Sequence, residues 1–268
     1  MTIIPFSFPG LPNIKAAFTT RLGGVSQEPC AEANLSWEVG DEDARVLANR
    51  QILQRRLGFD HWFETRQVHG VEMVIDPGPP KTGPKAETDA GTGTGTATET
   101  GTDDISLRPT LEADGSATSR PGLALIVKTA DCQPILLAHR DGRHVAALHC
   151  GWRGNRQGFP KKGVAAFCQA YGLRPEDILA VRGPSLGPSA SEFVNFDLEW
   201  GDAFRDYFNP ATKTVDLWRL TRDQLLTAGL RPDHIFGLDL CTANLPETFF
   251  SYRRDKITGR QAGLIWIA

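Results

Sequence analysis

The sequence has no long run of basic residues and no apolar stretch long enough to cross a bilayer. Its 29 Lys and Arg residues against 32 Asp and Glu residues give a formal net charge of −3 over 268 residues. A weakly acidic chain gives no electrostatic reason to bind nucleic acid or an anionic membrane. We therefore expect neither nucleic acid nor a membrane as a partner, and the composition leaves both a monomer and a homodimer open.

Cysteine is scarce and irregularly spaced, with five residues and no pair at the Cys-x-x-Cys spacing. An odd count without close pairs argues against the disulfide framework of a small secreted domain. The N-terminal residues also lack the basic region and the apolar core of a secretory signal. The sequence therefore predicts a protein of the reducing cytoplasm.

Strand-like and helix-like segments are interleaved along most of the chain. Short apolar runs predict strands at 14–20, 122–127, 178–181, 234–240, 249–253 and 262–267. Helices are predicted over 41–57, 197–208 and 217–228, and a further helix ended by Gly172 has its apolar stripe at 164, 167, 168 and 171. We expect one α+β domain over 1–268, with a mixed β-sheet core flanked by helices.

One segment, at about 76–119, differs in composition from the rest. It is rich in Gly, Thr and Pro and contains almost no large apolar side chain. Such a segment buries too little surface to offset the entropy lost on ordering it. We interpret it as a low-complexity loop inserted into the domain.

A tight hairpin is predicted between the apolar segments 134–139 and 144–149. Asp141 and Gly142 lie between them, and Asp-Gly is strongly favoured in two-residue hairpin turns. With this pair at the centre of the turn, Cys132 and His149 share one sheet face as diagonal neighbours. The same register places three other side chains on the opposite face: Cys150, His139 and His144.

A cysteine and a histidine within reach of one another suit two kinds of chemistry. Cys132 and His149 can act as a nucleophile and its activating base, or as two ligands of one metal ion. His69, in the segment Gln67-Val-His-Gly70, offers a second imidazole, and such a set suits Zn²⁺ with a fourth position for water. Spacing alone does not bring His69 to the hairpin, and the thiol and imidazole could equally be buried core side chains.

With these residues, the chain resembles the purine nucleoside phosphorylase family typified by the peptidoglycan editing factor and formerly described as multicopper polyphenol oxidase or laccase-like. The resemblance runs through nearly the entire chain and rests on many blocks in a fixed order. These blocks are Thr19-Thr-Arg-Leu-Gly-Gly-Val-Ser26, Asn34-Leu-Ser36, Gly40-Asp41, Gln67-Val-His-Gly70, Thr129-Ala-Asp-Cys-Gln-Pro-Ile-Leu-Leu137, His149-Cys-Gly-Trp-Arg-Gly154, Gly183-Pro-Ser-Leu-Gly-Pro188, Asp216-Leu-Trp218, Phe250-Ser-Tyr-Arg-Arg-Asp255 and Thr258-Gly-Arg-Gln261.

The resemblance implies that His69, Cys132 and His149 together bind Zn²⁺, with copper as the alternative metal. It implies phosphorolysis of adenosine, inosine and methylthioadenosine, and deamination of adenosine, so that purine nucleoside and phosphate are the expected partners. Related members are linked to the removal of wrongly built peptidoglycan precursors. The implied fold has a mixed sheet core and is distantly like a cysteine-hydrolase toxin domain.

Three further residues receive candidate roles. Arg21 and Arg153 are candidate catalytic residues for holding phosphate, because guanidinium groups suit phosphate and each residue lies beside glycines in a matched block. Asp131 is a candidate for orienting a ligand imidazole, although it could equally cap a turn.

The chain departs from the family pattern at two places. It has Cys150 where the family usually has Ala, and Ser189-Ala-Ser-Glu192 where the family commonly has Cys-Cys-Tyr-Glu. Two other enzymatic functions remain open, a copper-dependent phenol oxidase and a metal-free cysteine hydrolase. The phenol oxidase is weakened because few ligands converge and Met is scarce. A non-catalytic protein with structural zinc would need a fourth ligand, from Cys150 or Asp131.

Overall fold

The computed structural model describes residues 1–78 and 105–268. Its α-helices are α1 (Asp43–Leu57), α2 (Trp152–Arg156), α3 (Phe159–Tyr171), α4 (Phe196–Glu199), α5 (Leu217–Thr227) and α6 (Tyr252–Asp255). Short 3₁₀ helices cover Pro175–Asp177, Asp202–Tyr207 and Pro232–His234. The strands are β1 (Ile3–Phe6), β2 (Ile14–Thr19), β3 (His61–Phe63), β4 (Met73–Ile75), β5 (Gly115–Thr118), β6 (Leu123–Thr129), β7 (Gln133–His139), β8 (Val145–Cys150), β9 (Ile178–Arg182), β10 (Phe208–Asn209), β11 (Thr214–Val215), β12 (Ile235–Gly237) and β13 (Gln261–Ile267).

Within the described residues, the strands form two large sheets and a small β10–β11 hairpin. The first sheet has the order β1-β2-β13-β6-β3 and is antiparallel except where β6 pairs with β3. The second sheet has the order β12-β9-β7-β8-β5-β4, with a parallel pair at each edge. Mixed sheets accompanied by helices confirm the predicted α+β class.

The main core lies between the two sheets and combines apolar side chains from both, including Phe18, Leu125, Ile265, Leu136 and Val181. A second buried cluster, with Leu53 of α1, covers the outer face of the first sheet. A third cluster covers the outer face of the second sheet with Phe167 of α3 and Leu225 of α5. Each sheet therefore has both faces buried. Among the described residues, no helix has the length and hydrophobicity needed to span a membrane.

The predicted hairpin forms with the predicted register. β7 pairs antiparallel with β8, with Pro134 opposite His149 and Leu136 opposite Ala147. Gly142 takes a positive φ of 70° in the turn, a conformation that glycine adopts without strain. Because side chains alternate along a strand, Cys150 packs into the core beneath α3 on the face opposite to His149.

The helix predictions are confirmed at their C-terminal ends. Gly58 and Gly172 both take the left-handed conformation that ends α1 and α3. The predicted N-cap of α1 at Asp41 is one residue too early, because Glu42 is the N-cap. The Asp41 carboxylate accepts hydrogen bonds from the Ser26 hydroxyl and the Asn34 amide, and the helix begins at Asp43 without a side-chain cap.

Two predicted elements near the C-terminus are wrong. The helix predicted over 197–208 is divided, because Gly201, at a φ of 86°, separates α4 from the following 3₁₀ helix. The strand predicted over 249–253 is replaced by the start of α6. There the Ser251 side chain accepts the backbone N–H of Arg254 and caps a helical turn.

The predicted inserted loop is also wrong at its C-terminal end, whereas its Gly- and Thr-rich centre lies outside the described residues. Residues 115–118 form β5, fully buried between β4 and β8. A Cβ on Gly115 would lie 2.8 Å from Met73 and 3.0 Å from Leu148. Glycine is therefore the residue that fits at position 115, and the Gly-Ser-Ala-Thr sequence of this buried strand resembles that of a loop in composition.

Candidate metal centre

A cavity of about 540 Å³ opens where β6 and β8 end and β7 begins. Its aromatic lining residues are Trp152, Phe193 and Tyr252. In the described part of the chain, its basic lining residues are Lys128, Arg153, Arg253, Lys256 and Arg260, against the acidic residues Glu38 and Asp131. The cavity is therefore electropositive and partly apolar.

Three metal-binding side chains meet in this cavity. One ligand atom from each of His69, Cys132 and His149 lies within 4.8 Å of the other two. The Cys132 Sγ atom is 3.7 Å from His69 Nε2, and the ring centroids of His69 and His149 are 4.9 Å apart. The structure thus brings together the three residues that the sequence nominated, including the distant His69.

The hairpin strands place Cys132 and His149 at this end of the second sheet. Cys132 directly precedes β7, after Asp131, whose φ is 93°. A Cβ at Gly151 would lie 2.9 Å from both Cys132 Sγ and His69 Cδ2. Glycine at position 151 therefore leaves the space in which the three ligand side chains converge.

Hydrogen bonds between side chains and main-chain groups hold His69 near the hairpin. The Gln67 amide group donates to the Lys128 carbonyl at 2.7 Å and accepts the Lys128 N–H at 2.8 Å, which fixes the loop to β6. The Asp114 carboxylate accepts the backbone N–H groups of Val68, His69 and Gly70 at 3.2, 2.9 and 2.6 Å. His69 itself has a φ of 61°, so the loop turns sharply at the ligand.

Asp114 also orients the second histidine. Its Oδ1 atom lies 2.8 Å from His149 Nδ1, and its carbonyl accepts the His149 N–H at 2.7 Å. With Nδ1 held by the carboxylate, Nε2 is the ring nitrogen that remains for a metal or substrate. Sequence reasoning missed Asp114, because the residue lies in the segment interpreted as an inserted loop.

The charges of the site favour a thiolate. Burial alone would raise the pKa of Cys132, but His149 and His69 lower it to about 6. Burial alone would lower the pKa of His149, but Cys132 and Asp114 raise it to about 9. A deprotonated sulfur is the form that binds metals and the form that acts as a nucleophile.

Comparisons with known proteins identify the family of the chain. Residues 15–268 match the model of the family described as multi-copper polyphenol oxidoreductase laccase. The chain belongs to this laccase-like family. It is 34% identical over 276 residues to purine nucleoside phosphorylase YfiH of Escherichia coli (strain K12), covering 99% of the chain and 98% of that protein. It is 36% identical over 281 residues to the purine nucleoside phosphorylase of Xylella fastidiosa (strain Temecula1), covering 99% and 96%.

Solved structures of laccase-like family relatives have the same fold. The crystal structure of Neisseria meningitidis protein NMB0706 superposes with a TM-score of 0.79 at 30% identity and covers 100% of this chain and 99% of its own. YlmD from Geobacillus stearothermophilus gives a TM-score of 0.79 at 28% identity, with 97% and 93% coverage. The predicted family and fold class are therefore both confirmed.

Of the two roles left open for Asp131, the structure shows hydrogen bonds to nearby loops and no contact with a ligand imidazole among the described residues. Its carboxylate accepts hydrogen bonds from the Thr242 hydroxyl at 2.7 Å and the Arg253 N–H at 2.6 Å. It therefore ties together two loops of the cavity wall, and the carboxylate that contacts a ligand imidazole is Asp114.

The two candidate phosphate-binding arginines lie in different places. Arg153 lines the cavity, with its guanidinium 4.3 Å from the centroid of the Trp152 ring. Arg21 lines a separate surface depression and donates to the carbonyls of Ala31 and Pro246. Arg153 therefore lies in the cavity that contains the metal-binding cluster, whereas Arg21 lies outside that cavity. Lys128 and Arg260 line the cavity and were not nominated from the sequence.

Cys150, where the chain departs from the family pattern, is buried beside the cluster. Burial and the charges of Cys132 and Asp114 raise the pKa of its thiol well above the usual range, and a group kept as a thiol is a poor metal ligand. Within residues 1–78 and 105–268, the metal-binding cluster at the cavity contains His69, Cys132 and His149 and no fourth ligand-type side chain.

Proposed function

We propose that this chain is a zinc-dependent purine nucleoside phosphorylase that also deaminates adenosine at the same site. The observation that carries the proposal is the His69–Cys132–His149 cluster at the wall of an electropositive cavity with aromatic lining. The names of the relatives, purine nucleoside phosphorylases at 34–36% identity over nearly their full length, support the substrate class.

The donor set fits zinc. Two imidazole nitrogens and one thiolate are ligands that Zn²⁺ prefers, and three protein ligands leave a fourth position open to solvent or substrate. When bound, the ion would supply Lewis-acid polarisation and a water of lowered pKa. Copper is the alternative metal, since imidazole and thiolate also suit it and the family description names it.

Aromatic side chains offer a surface for the purine base. Trp152 and Phe193 pack edge to face with centroids 5.7 Å apart, and both line the cavity. Aromatic faces stack on bases whatever their substituents. This tolerance fits activity on adenosine, inosine and methylthioadenosine, which differ in the base or at the sugar.

Basic side chains offer a place for phosphate. Arg153 and Arg260 line the cavity, and guanidinium groups are suited to bidentate binding of phosphate oxygens. In phosphorolysis, a phosphate oxygen bonds to the anomeric carbon as the glycosidic C–N bond breaks. The purine leaves with the electron pair and takes a proton, so the products are the free base and ribose 1-phosphate.

Asp114 would keep the proton of His149 on Nδ1 and so fix the orientation of the ring. The carboxylate fixes the imidazole at Nδ1, and Nε2 then faces Cys132 and the substrate. Deamination would replace the purine amino group by a water oxygen and release ammonia. The editing of peptidoglycan precursors and the cytoplasmic location remain predictions from the resemblance and the sequence.

The test is product analysis with zinc-loaded protein. Adenosine with phosphate should give adenine and ribose 1-phosphate, and adenosine without phosphate should give inosine and ammonia. Cys132→Ala should lower kcat/KM by at least about 100-fold. Cys168→Ala, a buried cysteine of α3 outside the cavity lining, is the matched control and should retain activity.

Other outcomes separate the alternatives. If zinc-loaded wild-type protein gives no free base from any of the three nucleosides with phosphate, the phosphorylase proposal is rejected. Oxygen uptake with a phenol and added copper would support the phenol oxidase instead. Turnover that chelators do not reduce would support a metal-free cysteine hydrolase with Cys132 as its nucleophile.

A further inference from the structure

We infer that the turn of the β7–β8 hairpin carries a second metal site, in which His139, Asp141 and His144 bind a divalent transition-metal cation such as Zn²⁺ or Ni²⁺. These residues lie at the opposite end of the hairpin from Cys132 and His149. Six strand residues at about 3.3 Å each separate the two ends by roughly 20 Å. The second site is thus independent of the proposed enzyme chemistry.

The geometry of the three side chains carries the inference. One ligand atom from each of them lies within 4.8 Å of the other two. His139 Nδ1 is 3.0 Å from Asp141 Oδ1, and His144 Nδ1 is 3.0 Å from Asp141 Oδ2. The Nδ1 atoms of the two imidazoles therefore face the two oxygens of one carboxylate, and His139 Nδ1 also accepts the Asp141 backbone N–H at 3.3 Å. A cation that binds at this point would replace these contacts.

The hairpin turn holds this arrangement in place. His139 donates its backbone N–H to the His144 carbonyl at 3.0 Å, which closes the turn. The Asn13 side chain donates to the Gly142 carbonyl at 2.7 Å and so fixes the turn to the loop before β2. The His144 ring lies against Tyr171 with centroids 4.6 Å apart. A ligand set on a fixed turn loses little entropy when a cation binds.

The charge and exposure of the cluster suit a hydrated cation. The Asp141 carboxylate accepts the Arg143 backbone N–H at 2.8 Å and faces both imidazoles, so its oxygens are held in place within the cluster. The side chains of His139, Asp141 and His144 are 12%, 20% and 18% exposed, which leaves a path from solvent. Two imidazoles and a carboxylate match the preference of Zn²⁺ and Ni²⁺ for nitrogen and oxygen donors.

One nearby cation opposes the binding. The Arg143 Nε atom lies 3.5 Å from Asp141 Oδ2, and the Arg143 side chain is 77% exposed. Its removal should therefore strengthen metal binding by a modest amount, about two- to fivefold, as for other exposed charge pairs. A variant that binds more tightly cannot be explained by partial unfolding.

The experiment is a titration of Zn²⁺ and, separately, Ni²⁺ into the Cys132→Ala/His69→Ala protein by isothermal calorimetry. Two of the three ligands of the cavity cluster are then absent, and we expect one equivalent of cation to bind. Adding His139→Ala or His144→Ala should weaken this binding at least tenfold. His234→Ala is the control histidine outside both clusters and should leave binding unchanged.

Two results would overturn the inference. One is the absence of any binding to the Cys132→Ala/His69→Ala protein at millimolar cation. The other is binding that survives His139→Ala and His144→Ala together. NMR of the imidazole resonances provides a second readout, because Zn²⁺ should shift those of His139 and His144 and leave that of His234 in place. Arg143→Ala in the same background should bind more tightly and tests the site without removing a ligand.

Discussion

Asp114 connects the separate parts of the candidate metal centre. Its carboxylate accepts hydrogen bonds from three successive backbone N–H groups around His69 and from the ring of His149. Hydrogen bonds from His149, Gly70 and His69 lower the pKa of its carboxyl group against the opposing effect of burial. A single carboxylate thus sets the position of one ligand and the ring orientation of another.

We predict that Asp114→Asn weakens metal binding by about 10–100-fold, as expected when the carboxylate behind a ligand histidine is removed. Asparagine has one acceptor oxygen and cannot accept all four hydrogen bonds, so the loop of His69 or the ring of His149 must loosen. Competition with a chromophoric chelator measures the affinity. Asp76→Asn is the matched control, because Asp76 caps Ser119 beyond β5 and does not contact the ligands. Equal affinities for wild type and Asp114→Asn would show that Asp114 does not position the ligands.

Gly151 has a role that depends on its size. We predict that Gly151→Ala folds but loses at least tenfold in metal affinity, because the added methyl group would lie 2.9 Å from Cys132 Sγ and His69 Cδ2. Calorimetric titration measures the metal affinity, and circular dichroism measures whether the variant is folded. Gly78→Ala, where no atom of the described residues lies within 4 Å of the added Cβ, is the control. Normal metal binding by Gly151→Ala would mean that the site has more room than the structure shows.

At the scale of elements, the hairpin was predictable because its information is local. The Asp-Gly turn fixes the pairing of β7 with β8, and the two-residue period of a strand then decides that Cys132 and His149 share a face. The position of His69 was not predictable in this way. It depends on Gln67 pairing with the main chain of β6 and on Asp114, contacts that join residues far apart in sequence.

The elements that were predicted wrongly show the same limit. β5 has the composition of a loop because its small residues fill a narrow space between neighbouring side chains, which only the tertiary structure reveals. The segment at 249–253 has the apolar and aromatic residues of a strand, but a single serine cap makes its end helical. The family resemblance joined His69 to Cys132 and His149, which spacing alone could not do.

The matched block that begins at Asp216 has a structural role at the start of α5. The Asp216 side chain accepts the backbone N–H of Arg219 at 2.9 Å and caps the helix. We predict that Asp216→Ala lowers the free energy of unfolding by about 1 kcal/mol, the usual cost of losing such a cap, whereas Asp216→Asn retains most of it. Urea denaturation measures the difference. A loss of equal size in both variants would show that the charge of Asp216, rather than its cap, stabilises the helix.

At the scale of the whole molecule, a buried ion cluster connects the first sheet to α1 and to the cavity wall. Glu64, after β3, lies 2.7 Å from Arg50 of α1 and 3.0 Å from Lys128 of β6, and the side chains are 0–4% exposed. Arg50 is also stacked between the rings of Trp37 and Trp62, at 4.5 and 4.9 Å. Lys128 also lines the cavity, so this buried ion cluster reaches the wall of the candidate metal centre.

The same cluster makes the stability of the protein depend on pH. Burial alone would raise the pKa of Glu64, but the charges and hydrogen bonds of Lys128 and Arg50 lower it below 4.5. A lowered pKa in the folded state stabilises the protein above the pKa of the unfolded state, and this contribution is lost as the pH falls through the folded value. Acid therefore removes the contribution of Glu64.

We predict that Glu64→Gln costs about 3–5 kcal/mol of unfolding free energy at pH 7, because it leaves buried positive charge without its counterion. The difference from wild type should shrink as the pH falls below about 4.5, where the wild-type protein begins to lose the same contribution. Urea denaturation at a series of pH values measures both effects. Glu112→Gln is the control, because its pair with Arg66 is more than half exposed and should contribute at most about 1 kcal/mol. A penalty for Glu64→Gln that stays constant down to pH 3 would show that the side chain stabilises the fold by its shape and not by its charge.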